Sequence, residues 1–448
     1  MNTPAPDSGR STRDLRARGA LIPTGLLVAW LSVGCTIGVQ PIEPPSPAEV
    51  PTLEAALVER PDDAGLLLRL GAAYVEAGRT ADAIGVLERA RALPTHPPGV
   101  LFYLGLSYEG AERWADARST YLAYLEVETR ADLREAIQNR LPVLRRSQLM
   151  AEAREALVQE AVLANQPPRE NTVAVFPFRY SGVDPELAPL GRALAQLTVT
   201  DLTLTGRITV LERLQVQLLL DEIRLAEEGY VDPATAARSG RLLGAARIVQ
   251  GSVDGTEARI DLLAAVVPVE TGTPGPPVNE GDALREVFAM HKRFVLDLHG
   301  ALGIQLTEAE RDLILQQPTR SLEALLLYGR ALEAEDGGDW DLASELYEQA
   351  LAEDTGFDEA REGRDRTRGA AAGQGTAIGE LAGAGHPVLP PGPGAGGGLD
   401  PRSGFADVEA LIPTPGQRDP AAELLGREGI GSGPTIIDII LRPPGGEE

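Results

Sequence analysis

The chain is nearly empty of lysine and cysteine: Lys292 and Cys35 are the only examples in 448 residues. Because that lysine follows no glycine and precedes no serine or threonine, a phosphate-binding P-loop is excluded, as is the lysine constellation of kinases. A lone cysteine excludes an internal disulfide, even in an oxidising compartment. Positive charge is short as well. The formal net charge is −25, which argues against a nucleic-acid partner. No His-Glu-x-x-His occurs, and Gly105-Leu106-Ser107-Tyr108-Glu109 lacks the second glycine of a nucleophile elbow. The C-terminal glycines follow no strand and open no helix, so they are no dinucleotide fingerprint. His291 and His299 stand eight apart on one predicted helix, with no carboxylate or cysteine constellation beside them; packed or solvated histidines are expected. Pairs such as Asp221-Glu222 and Glu227-Glu228 read as solvated helix faces. The expectation is therefore a protein without catalytic residues, metal, nucleotide or other cofactor.

What the chain does have is order along its length. With 43% apolar residues it can bury two or three domain cores. Residues 1–34 read as an export signal. Arg10, Arg13, Arg16 and Arg18 form the positive region, and Ala20 to Val33 an apolar run too short to span a bilayer comfortably. The run ends at Leu31-Ser32-Val33-Gly34-Cys35, which resembles a lipobox except that Ser32 stands where leucine is usual. The resemblance implies lipidation at Cys35. Thr36 in place of aspartate implies transfer to the outer membrane. The alternative is a plain signal peptide followed by a small buried cysteine. Residues 35–51 carry Pro41, Pro44, Pro45, Pro47 and Pro51 and read as an extended tether.

Residues 52–165 repeat with a fixed period. Leu70-Gly71 recurs as Leu104-Gly105, Tyr74 as Tyr108 and Ala83 as Ala117, each 34 residues on. That is the tetratricopeptide spacing. Two clear repeats are few for a stable array, so further helical units are expected at Leu53–Glu59 and Arg130–Leu163, with Pro94 and Pro142 breaking the chain after helix pairs. In this register Leu68, Ala72 and Val75 of one repeat and Phe102, Leu106 and Glu109 of the next fall on the concave face. They are the candidate partner-binding residues; packing on the linker or on the central domain is the alternative. Ser321 to Ala350, within residues 306–366, reads as a third helix pair. Tyr328-Gly329 aligns there with Leu70-Gly71, which would make Gly337-Gly338 an extension of the turn.

Residues 170–305 carry a different pattern. Thr172 to Phe178 is a strand run, and Asp184-Pro185-Glu186 starts a helix. Arg207 to Leu211 is a short strand, Leu214 to Leu225 a helix, and Asp232-Pro233 to Gly244 another. Arg247 to Val253 and Arg259 to Val267 form a hairpin with Asp254-Gly255 as its turn. Ala283 to Leu302 is an amphipathic helix. Strands joined by helices run parallel, so the fold expected is an α/β layered domain with a mixed sheet, flanked by all-α repeats. The strand run Val173 to Phe178, Ser181-Gly182, Pro185, Ile208 to Arg213, Thr235 to Gly240, Gly244-Ala245, Gly251-Ser252 and the close at Val269 to Gly272 resemble the CsgG family, the curli secretion component. Similar domains occur in TolB-like proteins and in outer-membrane lipoproteins that activate penicillin-binding proteins.

From Gly369 the composition shifts to Gly, Ala and Pro, and residues 367–448 are expected to be a disordered tail. Its exception is Pro434 to Arg442, a β-branched run that reads as a strand docking on an open sheet edge. The function expected is a non-enzymatic lipoprotein of the outer membrane facing the periplasm. It would bind envelope proteins through its repeats and α/β domain, touch the membrane through its lipid, and possess the option of oligomerising. The resemblance implies two alternatives: a secretion-channel component, which needs two long lipid-facing hairpins not evident between Thr172 and Gly272, or an activator of a peptidoglycan synthase.

Overall fold

The computed structural model describes residues 46–223, 233–376 and 381–382. Cys35 and the run 434–442 lie outside them.

The described residues open on a single helical turn, Pro47–Glu49, capped by Ser46, and run into α1 (Val50–Glu59). Part of the expected tether is thus helical: Pro47 and Pro51 occupy first-turn positions, where a missing N–H costs nothing. Two antiparallel helix pairs follow, α2 (Ala64–Glu76) with α3 (Thr80–Arg91) and α4 (Gly99–Gly110) with α5 (Trp114–Val127). The conserved spacing has a steric cause. A Cβ on Gly71 would lie 2.4 Å from Leu87, and one on Gly105 would lie 2.4 Å from Tyr121. Only glycine admits the second helix of each pair that closely. Each pair repeats one outer contact: Arg79 stacks 4.3 Å over the Tyr74 ring, and Arg113 lies 4.3 Å over Tyr108.

The array is closed by α6 (Ala131–Val158) and a short α7 (Glu160–Leu163). Pro142 lies inside α6 and does not end it, contrary to expectation. The proline removes one helical hydrogen bond, but α6 is held along its length by neighbouring helices, which offsets that loss.

The sheet is built from β1 (Arg169–Val175), β2 (Arg179–Tyr180), β3 (Thr209–Val210), β4 (Ala245–Gly255), β5 (Arg259–Pro268) and β6 (Val278–Ala283). Its order is β3-β1-β4-β5-β6, with β2 paired to β4. β1 runs parallel to β3 and β4, while β4–β5 and β5–β6 are antiparallel, so the sheet is mixed as expected. Alternate residues serve two cores. Val173, Val175, Val249 and Val253 face a core shared with α8 (Leu190–Thr203) and α11 (Val287–Ala301). Ala174, Phe176 and Ile248 belong to the other, with α9 (Arg213–Glu222), α10 (Pro233–Leu243) and Ala153 from the end of α6.

Two local readings change. Asp254-Gly255 is not the hairpin turn, because both residues still pair, with Asp261 and Ile260. The turn lies beyond, where Thr256 N–H donates to Arg259 O at 2.8 Å. Gly255 instead marks a close approach: its carbonyl accepts the Tyr180 hydroxyl at 2.9 Å. β6 was not expected at all. Its sequence, Val-Asn-Glu-Gly-Asp-Ala, lacks β-branched density because it is an edge strand with only Val278 buried.

After α12 (Glu308–Ile314) come α13 (Leu322–Gly337), α14 (Trp340–Glu353) and α15 (Asp358–Gly375). Helix therefore continues past residue 366, into the stretch expected to be disordered. Its glycines serve packing. A Cβ on Gly363 would sit 2.6 Å from the Tyr347 ring, and one on Gly373 would sit 2.2 Å from Asn139 O on α6. The expected turn extension at Gly337-Gly338 is also absent. Gly338 has φ +81°, and Glu112 and Gly78 hold the same left-handed turn position at φ +57° and +69°. The true counterpart of Gly105 is Ala331, twelve residues before Ala343. Gly329 faces elsewhere, where a Cβ would lie 2.3 Å from Pro189 O before α8.

Candidate functional site

The concave residues of the repeat array are already covered. Leu68, Ala72, Phe102, Leu106 and Glu109 are buried and Val75 is half-buried. Phe102 meets Tyr103 edge-on with ring centres 5.3 Å apart, and Tyr124 at 5.4 Å. Glu109 closes the end of α4. It accepts the Tyr121 hydroxyl at 3.2 Å and Arg140 Nε, from α6, at 2.8 Å. The same guanidinium donates to the carbonyls of Gly373 and, at 3.1 Å, Thr376. Tyr103 reaches further along the chain: its hydroxyl donates to Ala382 O at 3.0 Å. Leu381 and Ala382 are buried in the same apolar cluster as Phe102, Tyr103, Leu68 and Ala72. Burial pushes the Tyr103 phenol up, so it is a donor at any ordinary pH. The apolar cluster that holds this face thus also takes in a segment from beyond α15.

A second constellation fastens α13–α15 to the sheet layer. Arg213, at the start of α9, pairs with Asp336 and stands 3.6 Å from Glu335. Arg192 Nη1 of α8 lies 2.6 Å from Asp336 Oδ2, and Arg146 of α6 donates to the Asp336 carbonyl at 2.6 Å. Arg366 takes both oxygens of Glu335, at 2.8 and 3.0 Å, while the Tyr347 hydroxyl adds a third bond at 2.7 Å. Burial would raise the Glu335 carboxyl, yet Arg366 and Arg213 hold it down to about 2. Such a fully partnered buried network specifies one arrangement of the joined helices.

The two centres share a motif that the sequence reading passed over. Glu109, Tyr121 and Arg140 recur as Glu335, Tyr347 and Arg366, all 226 residues later. Trp114 and Trp340 keep the same offset. The signal was visible, but anchoring the third pair on Gly329 set the register two residues off.

Four further buried titratable residues make packing contacts. Lys292 Nζ donates to both oxygens of Asp201 at 2.8 Å, wholly inside the α8–α11 contact. Burial raises that carboxyl to about 6. His291 Nε2 lies 3.2 Å from Leu194 O and 3.1 Å from Thr198 Oγ1; burial and the Lys292 charge lower the ring to about 3. His299 bonds Val295 O at 2.8 Å on its own helix. Both histidines are packed, and no metal-binding group of three ligands occurs among the described residues. No helix among the described residues is long and apolar enough to cross a membrane.

With this geometry established, similarity to known proteins can be read against it. Residues 154–261 match the family model of the curli production assembly/transport component CsgG, from the end of α6 to the start of β5. Residues 66–94 match a tetratricopeptide repeat, namely α2 and α3. The chain therefore combines a CsgG-type domain with tetratricopeptide repeats. Among solved structures, the LpoB C-terminal domain from Salmonella enterica is similar at 16% identity, over 28% of this chain and 92% of that one, with a TM-score of 0.22. No curated protein matches.

Proposed function

We propose that the protein is a non-enzymatic scaffold of the bacterial cell envelope, lipid-anchored through Cys35 in the outer membrane and facing the periplasm. Its repeat groove and CsgG-type domain would hold partner proteins during envelope assembly or secretion. The observation that carries this reading is a tetratricopeptide match and a CsgG match on one chain, with a second helical unit, α13–α15, fastened to the sheet layer through buried ion pairs. Leu68, Ala72, Val75, Phe102, Leu106 and Glu109 would form the floor of the partner groove.

The anchor is tested by metabolic labelling with radioactive palmitate. The wild-type chain is expected to take up label and fractionate with outer membranes, while Cys35→Ala loses both. Label-free wild-type protein, or a Cys35→Ala chain equally membrane-bound, would sink this reading. Envelope crosslinking followed by mass spectrometry identifies the partner and separates secretion from activation of a peptidoglycan synthase. The CsgG match also motivates a channel reading. Against it stands the β4–β5 hairpin, which turns over within Thr256–Arg259 and extends no long lipid-facing ribbon. Ring-shaped oligomers with conductance in planar bilayers would reverse that preference.

A further inference from the structure

The repeat groove carries its own ligand. We propose that Leu381–Ala382 is an internal occupant of the groove, and that a partner segment of the same chemistry, a short apolar stretch offering a backbone carbonyl, enters only when this one leaves. This rests on the groove being a partner site, as proposed above.

Three observations converge. First, the contact is specific. Tyr103, buried on α4, spends its hydroxyl on the Ala382 carbonyl, and no side chain of the repeats takes it. Second, the occupant is distant in sequence: 279 residues separate the bonded partners, and Leu381 and Ala382 are both buried to within 2% of full cover. Arg140 clamps the approach by donating to Gly373 and Thr376 carbonyls while holding Glu109 of the groove. Third, the equivalent face of the second array is closed differently. There α13 is sealed by α8, with Gly329 against the Pro189 backbone and Arg192 on Asp336. That cover is integral to the domain, whereas Leu381–Ala382 reaches the groove from beyond α15. A tethered segment at an effective concentration of about a millimolar holds a weak site closed without any tight contact.

The test uses the full-length chain and a fluorescein-labelled synthetic peptide of residues 376–386, followed by anisotropy up to several millimolar protein. Leu381→Asp should release the tail, because a buried carboxylate has no partner there. If the tail fills nine-tenths of the groove, apparent peptide affinity rises about ten-fold in Leu381→Asp over wild type. Tyr103→Phe in the Leu381→Asp background should then lose about five-fold, the worth of one hydrogen bond. Hydrogen exchange supplies the second readout: amides of 381–382 and of α4 should exchange faster in Leu381→Asp. Equal peptide affinity for the two chains, or no binding to Leu381→Asp, overturns the proposal. So does equal exchange at 381–382. The two readings fail separately. If crosslinking captures the same partner equally with wild type and Leu381→Asp, the scaffold stands and the internal ligand falls. If Leu381→Asp binds the peptide but captures nothing from the envelope, the internal ligand stands and the scaffold falls.

Discussion

The two repeat units are the same device put to opposite uses. In both, a glutamate ending the first helix is held by a tyrosine twelve residues on and an arginine thirty-one residues on. Around Glu109 the surroundings are carbonyls and a tail segment. Around Glu335 they are two further charged residues, Asp336 and Arg213, that tie the unit to the sheet layer. Neighbouring charge therefore sets what such a unit is tied to. The first array buries an apolar floor beside Leu381 and Ala382; the second is tied to the sheet layer by buried ion pairs.

The largest test of this contrast is Arg213→Ala. It leaves Asp336 with Arg192 alone and weakens the hold on Glu335, and removing one partner of a buried ion pair costs about 3–5 kcal/mol. Arg140→Ala should cost less, about 1–3 kcal/mol, since Tyr121 still serves Glu109. Urea unfolding measures both, and equal losses would abolish the distinction. Next is Gly329→Ala, which drives a methyl into the Pro189 backbone and should cost about 1–3 kcal/mol. Gly300→Ala, with open space around it, should be neutral or slightly stabilising within a helix.

Acid should titrate the α8–α11 contact before it reaches the second repeat unit. His291 is depressed to about 3, so the unfolded chain binds a proton that the folded one refuses. Its contribution is present above pH ~6.5 and is lost as pH falls toward 3, by at most about 1.4 kcal/mol per pH unit. Glu335, held down to about 2, contributes above the ordinary carboxylate range and loses its share only as pH falls through that range toward 2. Asp201, raised to about 6, acts in the opposite sense, its contribution falling as pH rises toward 6. His291→Gln should therefore leave Asp201 unopposed and turn the slope of melting temperature between pH 6.5 and 4 toward greater stability in acid. An unchanged slope would show that the histidine is not the titrating group. The smallest effect expected is Arg113→Ala, which removes an exposed cation–π contact worth about 0.5–1 kcal/mol.

The sequence by itself determined whatever depends on near neighbours. The 34-residue period located the first repeats, because Gly71 and Gly105 must admit Leu87 and Tyr121 within their own helix pairs. Strand runs and the Asp184-Pro185 start placed β1 and the entry to α8, since caps and β-branched runs act over a few residues. The mixed sheet followed from connection rules. Only the tertiary structure decided the meaning of residues whose partners are remote. Glycines from residue 369 on looked like the onset of disorder, yet Gly369 and Gly373 are where α15 presses on Asn139. Pro142 looked like a break and became helix interior. Phe102 and Leu106 looked like an open groove, and they are buried in an apolar cluster that also takes in Leu381 and Ala382, which return to the repeats from beyond α15. Composition reports how freely a segment can move alone; it carries no record of the surface that segment meets, and burial against that surface is what offsets its lost entropy.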